Sequence, residues 1–154
     1  MTRVLAAVPA GSRILLDTSV LVAHLGGAEP VASAASGLIE ECLRSRRNDG
    51  VISTITVAEL LTRPFRTSQQ AADMVVAFLW SLPDLLIRSV DFLVAAEAAR
   101  IRAATGLDMP DASILATAVL TTSRMLATND RDLADATRSV APGLDVLLLA
   151  DLLG

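Results

Sequence analysis

Short apolar runs alternate along the chain with longer stretches in which apolar residues recur every three or four positions. The short runs are typical of strands buried on both faces of a sheet, and the longer stretches predict helices. Strands are predicted at residues 14–16, 51–53, 85–87, 124–128 and 144–149. Helices are predicted at residues 20–25, 30–47, 54–61, 68–82, 91–105, 110–119 and 131–137. This alternation predicts a three-layer α/β fold with a mostly parallel sheet.

Proline and the weakly patterned start of the chain set two further expectations. The helix that begins near Thr54 or Thr56 should finish before Pro64, because proline lacks the amide proton that a helix interior requires. Residues 1–12 faintly resemble a signal peptide, but their apolar stretch is too short, and they are interpreted as a loose N-terminal extension. Residues 13–154 are then one domain. No run reaches the length of a membrane span, so we expect no membrane association and a cytoplasmic protein.

The composition of the 154 residues excludes several kinds of chemistry. Apolar residues make up 53% of the chain and aromatic residues 3%, and all 13 basic residues are arginine. Without lysine there is no Schiff-base chemistry and no P-loop lysine. A single histidine, His24, and a single cysteine, Cys42, allow neither an internal disulfide nor a zinc cluster. We interpret Cys42 as a packing residue and His24 as a structural or surface residue, which leaves carboxylates as the groups available for catalysis.

Four acidic residues interrupt the apolar pattern at informative positions. Asp17 ends the first predicted strand and Asp130 follows the fourth, and ligands of open parallel sheets bind at the carboxyl ends of strands. Glu59 lies inside an apolar helical turn, and Asp111 begins a helix directly after Pro110.

Each of these acids also has an ordinary structural explanation. Asp17 and Asp130 are suitable helix N-caps, Asp111 suits a helix macrodipole, and Glu59 is explained equally by a surface position. Taken together, however, they indicate a pocket of carboxylates, whose mutual repulsion a hard divalent cation would relieve. Oxygen ligands favour Mg²⁺ or Mn²⁺ over zinc.

The segments that carry these acids resemble the four motifs of the PIN-domain nucleases. The first motif is similar to residues 14–22, the second to 56–60, the third to 110–118 and the fourth to 126–133. The order and spacing of the motifs agree over nearly the whole chain after the N-terminal extension. The compact size further resembles VapC-type toxins of bacterial toxin–antitoxin pairs. The resemblance implies a three-layer α/β/α PIN-like fold.

The same resemblance implies a Mg²⁺- or Mn²⁺-dependent endoribonuclease that cleaves phosphodiester bonds through a metal-activated water. Its catalytic and metal-binding residues would be four acids: Asp17, Glu59, Asp111 and Asp130. Thr128 would support this site by hydrogen bonding, and Thr18 or Ser19 would do the same. Asp108 and Asp132 are auxiliary candidates, with capping or supporting roles preferred to direct metal ligation.

The surface departs from that of a general nucleic-acid binder, because the net charge is -4 and aromatic residues are few. Two arginine clusters are candidates for RNA contact: residues 44–47 and the pair Arg63 and Arg66. The alternative for both is a solvated helix end, where arginine is favourable without any ligand. We therefore expect recognition of a defined RNA shape.

The resemblance also implies a cognate antitoxin as partner and a homodimer, with residues 68–82 and 30–47 as candidates for the antitoxin groove. Two other functional hypotheses remain open. One is a catalytically silent PIN fold that acts as a binding module. The other is a receiver-like or dehalogenase-like phosphoryl-transfer domain, against which the absence of lysine counts.

Overall fold

A computed structural model describes residues 1–27 and 30–153 of the chain. The chain begins with a short helix and then alternates strands with helices. The strands are β1 (Arg13–Leu16), β2 (Asp49–Ser53), β3 (Leu86–Arg88), β4 (Met125–Thr128) and β5 (Asp145–Leu148). The helices are α1 (Arg3–Ala7), α2 (Thr18–Gly26), α3 (Ala32–Gly37), α4 (Thr54–Thr67), α5 (Gln69–Ser81), α6 (Phe92–Thr105), α7 (Met109–Leu120) and α8 (Arg131–Val140). A π-helical segment (Leu38–Arg44) continues α3, and a 3₁₀ turn (Leu149–Leu152) follows β5.

Within the described residues the strands form one sheet in the order β3-β2-β1-β4-β5, and every neighbouring pair is parallel. The strand order reverses between β1 and β4, where Ile14, Leu15 and Leu16 lie opposite Met125, Leu126 and Ala127. This reversal creates a crevice at the carboxyl ends of the two strands, which is the usual ligand position in such sheets.

Two apolar cores cover the two faces of the sheet, as the alternation of side chains along a strand requires. Ile14, Leu16 and Ile52 pack into the core formed with the helices from α1 to α5. Leu15, Val51 and Leu126 pack into the core formed with α6, α7 and α8. The predicted three-layer α/β/α architecture is thereby confirmed, and its sheet is parallel throughout the described residues.

Helix α4 is longer than the sequence predicts. It runs through Pro64 to Thr67, and Ser53 caps it by accepting a hydrogen bond from the amide of Ile55. The expectation that this helix ends before Pro64 was therefore wrong. Proline removes one backbone bond here, in the last turns of the helix, and the packing of Leu60 in the core favours the helical conformation just before it.

The first residues of the chain are folded onto the domain, contrary to the loose segment expected. The side chains of Val4 and Val8 in and after α1 are buried against the core. Arg47 donates to the backbone carbonyls of Leu5 and Val8, and the Asn48 amide donates to the carbonyl of Pro9. The bond to Leu5 satisfies a carbonyl in the last turn of α1, and the other two attach the segment that follows the helix. Among the described residues, no helix is long and apolar enough to cross a membrane.

Candidate acidic active site

Asp17 is a buried carboxylate at the carboxyl end of β1, with only 4% of its surface exposed. It occupies the N-cap position of α2, yet its side chain makes no capping bond to that helix. Instead its Oδ2 accepts hydrogen bonds from the Ser19 hydroxyl at 2.7 Å and from the Thr128 hydroxyl at 2.8 Å. The ordinary capping explanation for Asp17 therefore does not account for its burial.

The loops after β1 and β4 are bound together around that carboxylate. The backbone amide of Asp17 donates to the carbonyl of Ala127 at 3.0 Å. The Thr128 hydroxyl oxygen accepts from the amide of Asp130 at 2.9 Å, and the Ser19 hydroxyl oxygen accepts from the amide of Asn129 at 2.9 Å. The supporting positions expected for Thr128 and Ser19 are thus occupied, and the network fixes the orientation of Asp17.

Glu59 reaches the same edge of the sheet from α4. It lies on the exposed side of that helix, and its Oε1 accepts a hydrogen bond from the Thr18 hydroxyl at 2.7 Å. The buried Thr56 hydroxyl oxygen lies 2.9 Å from the same Thr18 oxygen. An exposed glutamate is therefore held towards the first residue of α2.

Asp111 lies in the first turn of α7, where burial and the neighbouring carboxylates raise its pKa. Burial, followed by the charges of Asp108, Asp17, Asp130 and Glu59, raises the pKa of Asp111 to about 7. Desolvation is the largest effect, and each of the four acids adds repulsion. Residues from four separate parts of the chain thus act electrostatically on one carboxyl group.

Asp108 and Asp130 both serve as helix caps. Asp108 Oδ1 accepts from the amide of Asp111 at 3.0 Å at the start of α7. Asp130 Oδ1 accepts from the amides of Asp132 and Leu133 at 2.9 and 3.3 Å at the start of α8. Both residues therefore combine a capping bond with an electrostatic effect on Asp111, while Asp132 is exposed.

A cleft of about 630 Å³ opens beside Asp111, between the end of α6, the start of α7 and α8. Its acidic lining includes Asp108, Asp111, Asp130, Asp132 and Asp135. Asp135 is not among the residues predicted for the site, although its position three residues after Asp132 on one helix was a usable signal.

The donor atoms at this edge are carboxylate and hydroxyl oxygens, a set that suits a hard divalent cation such as Mg²⁺ or Mn²⁺. In the part of the chain that the structure describes, no three carboxylate, histidine or cysteine side chains lie together closely enough to hold one ion. The raised pKa of Asp111 is the observation that links the four acids, since a bound cation would remove the repulsion that causes part of it.

His24 and Cys42 have structural surroundings. The Nδ1 of His24 lies 2.9 Å from the Ser36 hydroxyl, its ring packs against Phe78, and burial lowers its pKa. Cys42 is fully buried, and burial raises the pKa of its thiol. Both observations agree with the packing interpretation.

Comparison with known proteins gives a family and a set of similar folds. The model of the PIN domain family matches residues 14–139, and no curated protein matches the chain. The structure is similar to FitAcB from Neisseria gonorrhoeae, at 28% identity and a TM-score of 0.64, covering 89% of this chain and 98% of that one.

Two further solved structures, both under 25% identical, show likeness of fold. A chain of a toxin–antitoxin complex from Klebsiella pneumoniae is 23% identical with a TM-score of 0.65, over 88% of this chain and 97% of that one. VapC20 of Mycobacterium tuberculosis, described as a toxin that cleaves the sarcin–ricin loop, is 19% identical with a TM-score of 0.64, over 80% and 94%. Because the family model spans most of the chain and the fold agrees, the protein belongs to the PIN-domain family.

Proposed function

We propose that this chain is a metal-dependent endoribonuclease and the toxin of a type II toxin–antitoxin pair. The single observation that carries the catalytic part is the pKa of Asp111, which burial and the charges of four other acids, Asp108, Asp17, Asp130 and Glu59, raise to about 7. A strongly perturbed acid at the edge of a sheet is a typical sign of a reactive site. Membership of the PIN-domain family supports a nuclease.

Asp17, Asp111, Asp130 and Glu59 are the residues that would hold Mg²⁺ or Mn²⁺. When bound, such an ion lowers the pKa of its water and neutralises charge that develops on the phosphodiester. Thr128 and Ser19 keep the Asp17 carboxylate in one orientation. In the protein without metal, the raised pKa means that the Asp111 carboxyl holds a proton for much of the time near neutral pH.

RNA is the proposed substrate, and the fold of a sarcin–ricin-loop-cleaving toxin supports a structured target. The acidic balance of the chain, with a net charge of -4, argues against tight binding to any nucleic acid irrespective of its shape. A defined hairpin that presents one phosphodiester to the acidic edge agrees with both observations.

A protein antitoxin is the proposed partner, and homodimerisation and a cytoplasmic location belong to the same proposal. Structures of toxin–antitoxin complexes have the same fold, which supports the pairing. An apolar cleft of about 430 Å³ lies between α2 and α5, lined by Leu25, Ala71, Met74, Val75 and Phe78. Met74 is 69% exposed, and Trp80 on the same helix is 76% exposed. Such a surface is typical of a protein interface.

The test is Mn²⁺ binding by calorimetry on the wild type, on Asp17→Asn and on Glu59→Gln, freed of any antitoxin. We expect binding by the wild type and much weaker binding by both variants, since each loses a ligand charge. Asp145→Asn is the matched control, because Asp145 is exposed and pairs with Arg124 at the opposite edge of the sheet. The proposal would be supported if the control variant bound Mn²⁺ with wild-type affinity and the two site variants lost that affinity.

Cleavage is then measured on a hairpin RNA with the sarcin–ricin loop sequence and on total bacterial RNA, with and without EDTA. Cleavage that requires metal and Asp17 is the expected result. Metal binding without cleavage of either RNA would favour the silent binding module instead. A folded wild type that binds no Mn²⁺ and cuts no RNA would contradict the nuclease.

A further inference from the structure

The structure separates the two arginine clusters that the sequence leaves equivalent. In the first cluster, Arg44 pairs with Glu40 at 3.1 Å and Arg46 pairs with Asp84 at 3.4 Å. Arg47 is engaged by backbone carbonyls near the start of the chain. These three guanidinium groups therefore already have partners within the protein.

Arg63 and Arg66 differ in that both are exposed and neither has an acidic partner or side-chain hydrogen bond among the described residues. Glu59 lies four residues before Arg63 on α4, a spacing at which glutamate and arginine ordinarily attract each other. Here the Glu59 carboxylate instead accepts from the Thr18 hydroxyl at 2.7 Å. Arg63 is thus left available beside a carboxylate of the acidic site.

Helix geometry places both arginines on the same side of α4 as Glu59. With 3.6 residues per turn, positions 59, 63 and 66 fall within an arc of about 60°, and the two arginines lie about 6 and about 10 Å along the helix axis from Glu59. Because arginine is long and its planar group suits phosphate, the pair extends from the acidic site along one line.

The negative charge on the other side of the acidic site also favours an approach of RNA along α4. The cleft between α6, α7 and α8 is lined by five aspartates and repels a polyanion. Arg102 and Arg131 are also exposed, but they lie singly on α6 and α8. Only on α4, within the described chain, do two unpaired arginines share a helix face with a site carboxylate.

We propose that Arg63 and Arg66 form a phosphate-binding track that positions a single-stranded segment of RNA across the acidic site. The proposal rests on the proposed ribonuclease function and names the contacts that hold its substrate. The two guanidinium groups bind neighbouring backbone phosphates and contribute no base selectivity. They are positioning residues, because they lie beyond the carboxylates that would act on the scissile bond.

The test compares the double variant Arg63→Gln/Arg66→Gln with Arg44→Gln/Arg46→Gln, which removes the same charge from paired arginines. Binding of the fluorescein-labelled hairpin RNA with the sarcin–ricin loop sequence, whose loop is single-stranded, is followed by anisotropy in EDTA over a range of salt concentrations. For the α4 variant we expect the slope of log affinity against log salt to flatten by about 1.4, the value for two phosphate contacts. We also expect affinity about tenfold weaker or more.

The steady-state rates with Mn²⁺ give the second readout. KM should rise in the α4 variant while kcat stays near the wild-type value, and Arg63→Lys/Arg66→Lys should restore the salt slope because it restores the charge. The control variant should leave both readouts unchanged.

The track would be contradicted by an unchanged salt slope in the α4 variant or by an equal effect in the control variant. It would also be contradicted if the α4 variant lost antitoxin binding but kept RNA binding, or if the wild type did not bind this RNA at low salt. A wild type that binds the RNA through these arginines but cleaves nothing would contradict the proposed nuclease and leave the track in place. The two proposals therefore fail by different outcomes.

Discussion

The Thr128 hydroxyl donates to Oδ2 of Asp17 at 2.8 Å, although the two residues are 111 positions apart in the chain. The same hydroxyl oxygen accepts from the amide of Asp130, so one buried side chain connects the ends of β1 and β4. Both atoms of this link lie where the strand order of the sheet reverses. The orientation of Asp17 therefore depends on the pairing of two strands that are distant in sequence.

Replacing Thr128 with valine should lower the free energy of unfolding by about 1–3 kcal/mol, because a buried carboxylate loses a donor and the Asp130 amide loses its acceptor. Urea denaturation measures this change. Thr137→Val is the control, since Thr137 is buried but bonds only to the Leu133 carbonyl of its own helix. An equal cost in both variants would mean that the link has no special importance.

Asp111 should make the metal-free protein less stable as pH rises. Its pKa is about 7 in the folded chain, above the ordinary value of about 3.9. Between these values the folded state holds a proton that the unfolded state has released, so the free energy of unfolding falls through that window and the loss is complete above about pH 7.

Asp111→Asn should therefore raise the stability at pH 8 and change it little at pH 4. At pH 8, after allowance for solvent screening of a half-exposed group, the free energy of unfolding should rise by about 1–2 kcal/mol. Urea denaturation in EDTA at both values measures it. Asp73→Asn is the control, because Asp73 is exposed on α5 and bonds only to Gln69. A gain in stability of the same size at pH 4 would show that titration of Asp111 is not the cause.

Mn²⁺ binding should release a proton from Asp111 in a pH-dependent way, since a carboxylate must be deprotonated to bind a metal. Close to one proton is expected per ion at about pH 6, and almost none at about pH 8.5, given the raised pKa. Calorimetry in buffers of different ionisation enthalpy counts these protons. Equal release at both values, or unchanged release in Asp111→Asn, would show that another group titrates.

Arg47→Met should loosen the start of the chain without affecting the acidic site. The variant loses the donors to the carbonyls of Leu5 and Val8, and we expect a cost of about 1–2 kcal/mol. Hydrogen exchange should accelerate in residues 3–8, while Mn²⁺ affinity stays at the wild-type value. Arg124→Met, which removes an exposed arginine that pairs with Asp145, should leave that exchange unchanged.

The sequence was informative where packing is locally coded. Runs such as Ile14–Leu16 predict the strands because a strand buried on both faces must be continuously apolar. Asp17 and Asp130 could be placed at one edge because both follow strands, and carboxyl ends of parallel strands meet. The architecture follows from these two rules alone.

Other features depend on contacts that no local pattern encodes. Helix α4 passes through Pro64, and Leu60, one turn earlier, packs in a core built from residues distant in the sequence. The difference between Arg47 and Arg63 depends on which carbonyls and carboxylates the fold brings near each of them. Asp130 caps α8 and also contributes to the raised pKa of Asp111, so the two explanations that the sequence offers for this residue hold together.

The position of β5 has a practical consequence for any shortened form of the protein. The family match ends at residue 139, whereas β5 spans Asp145–Leu148 and pairs with the whole of β4. A fragment cut at the end of the match would leave β4 as a bare apolar edge, open to strand addition by other copies. Because β4 carries Thr128, aggregation of such a fragment and disorder around Asp17 would arise together.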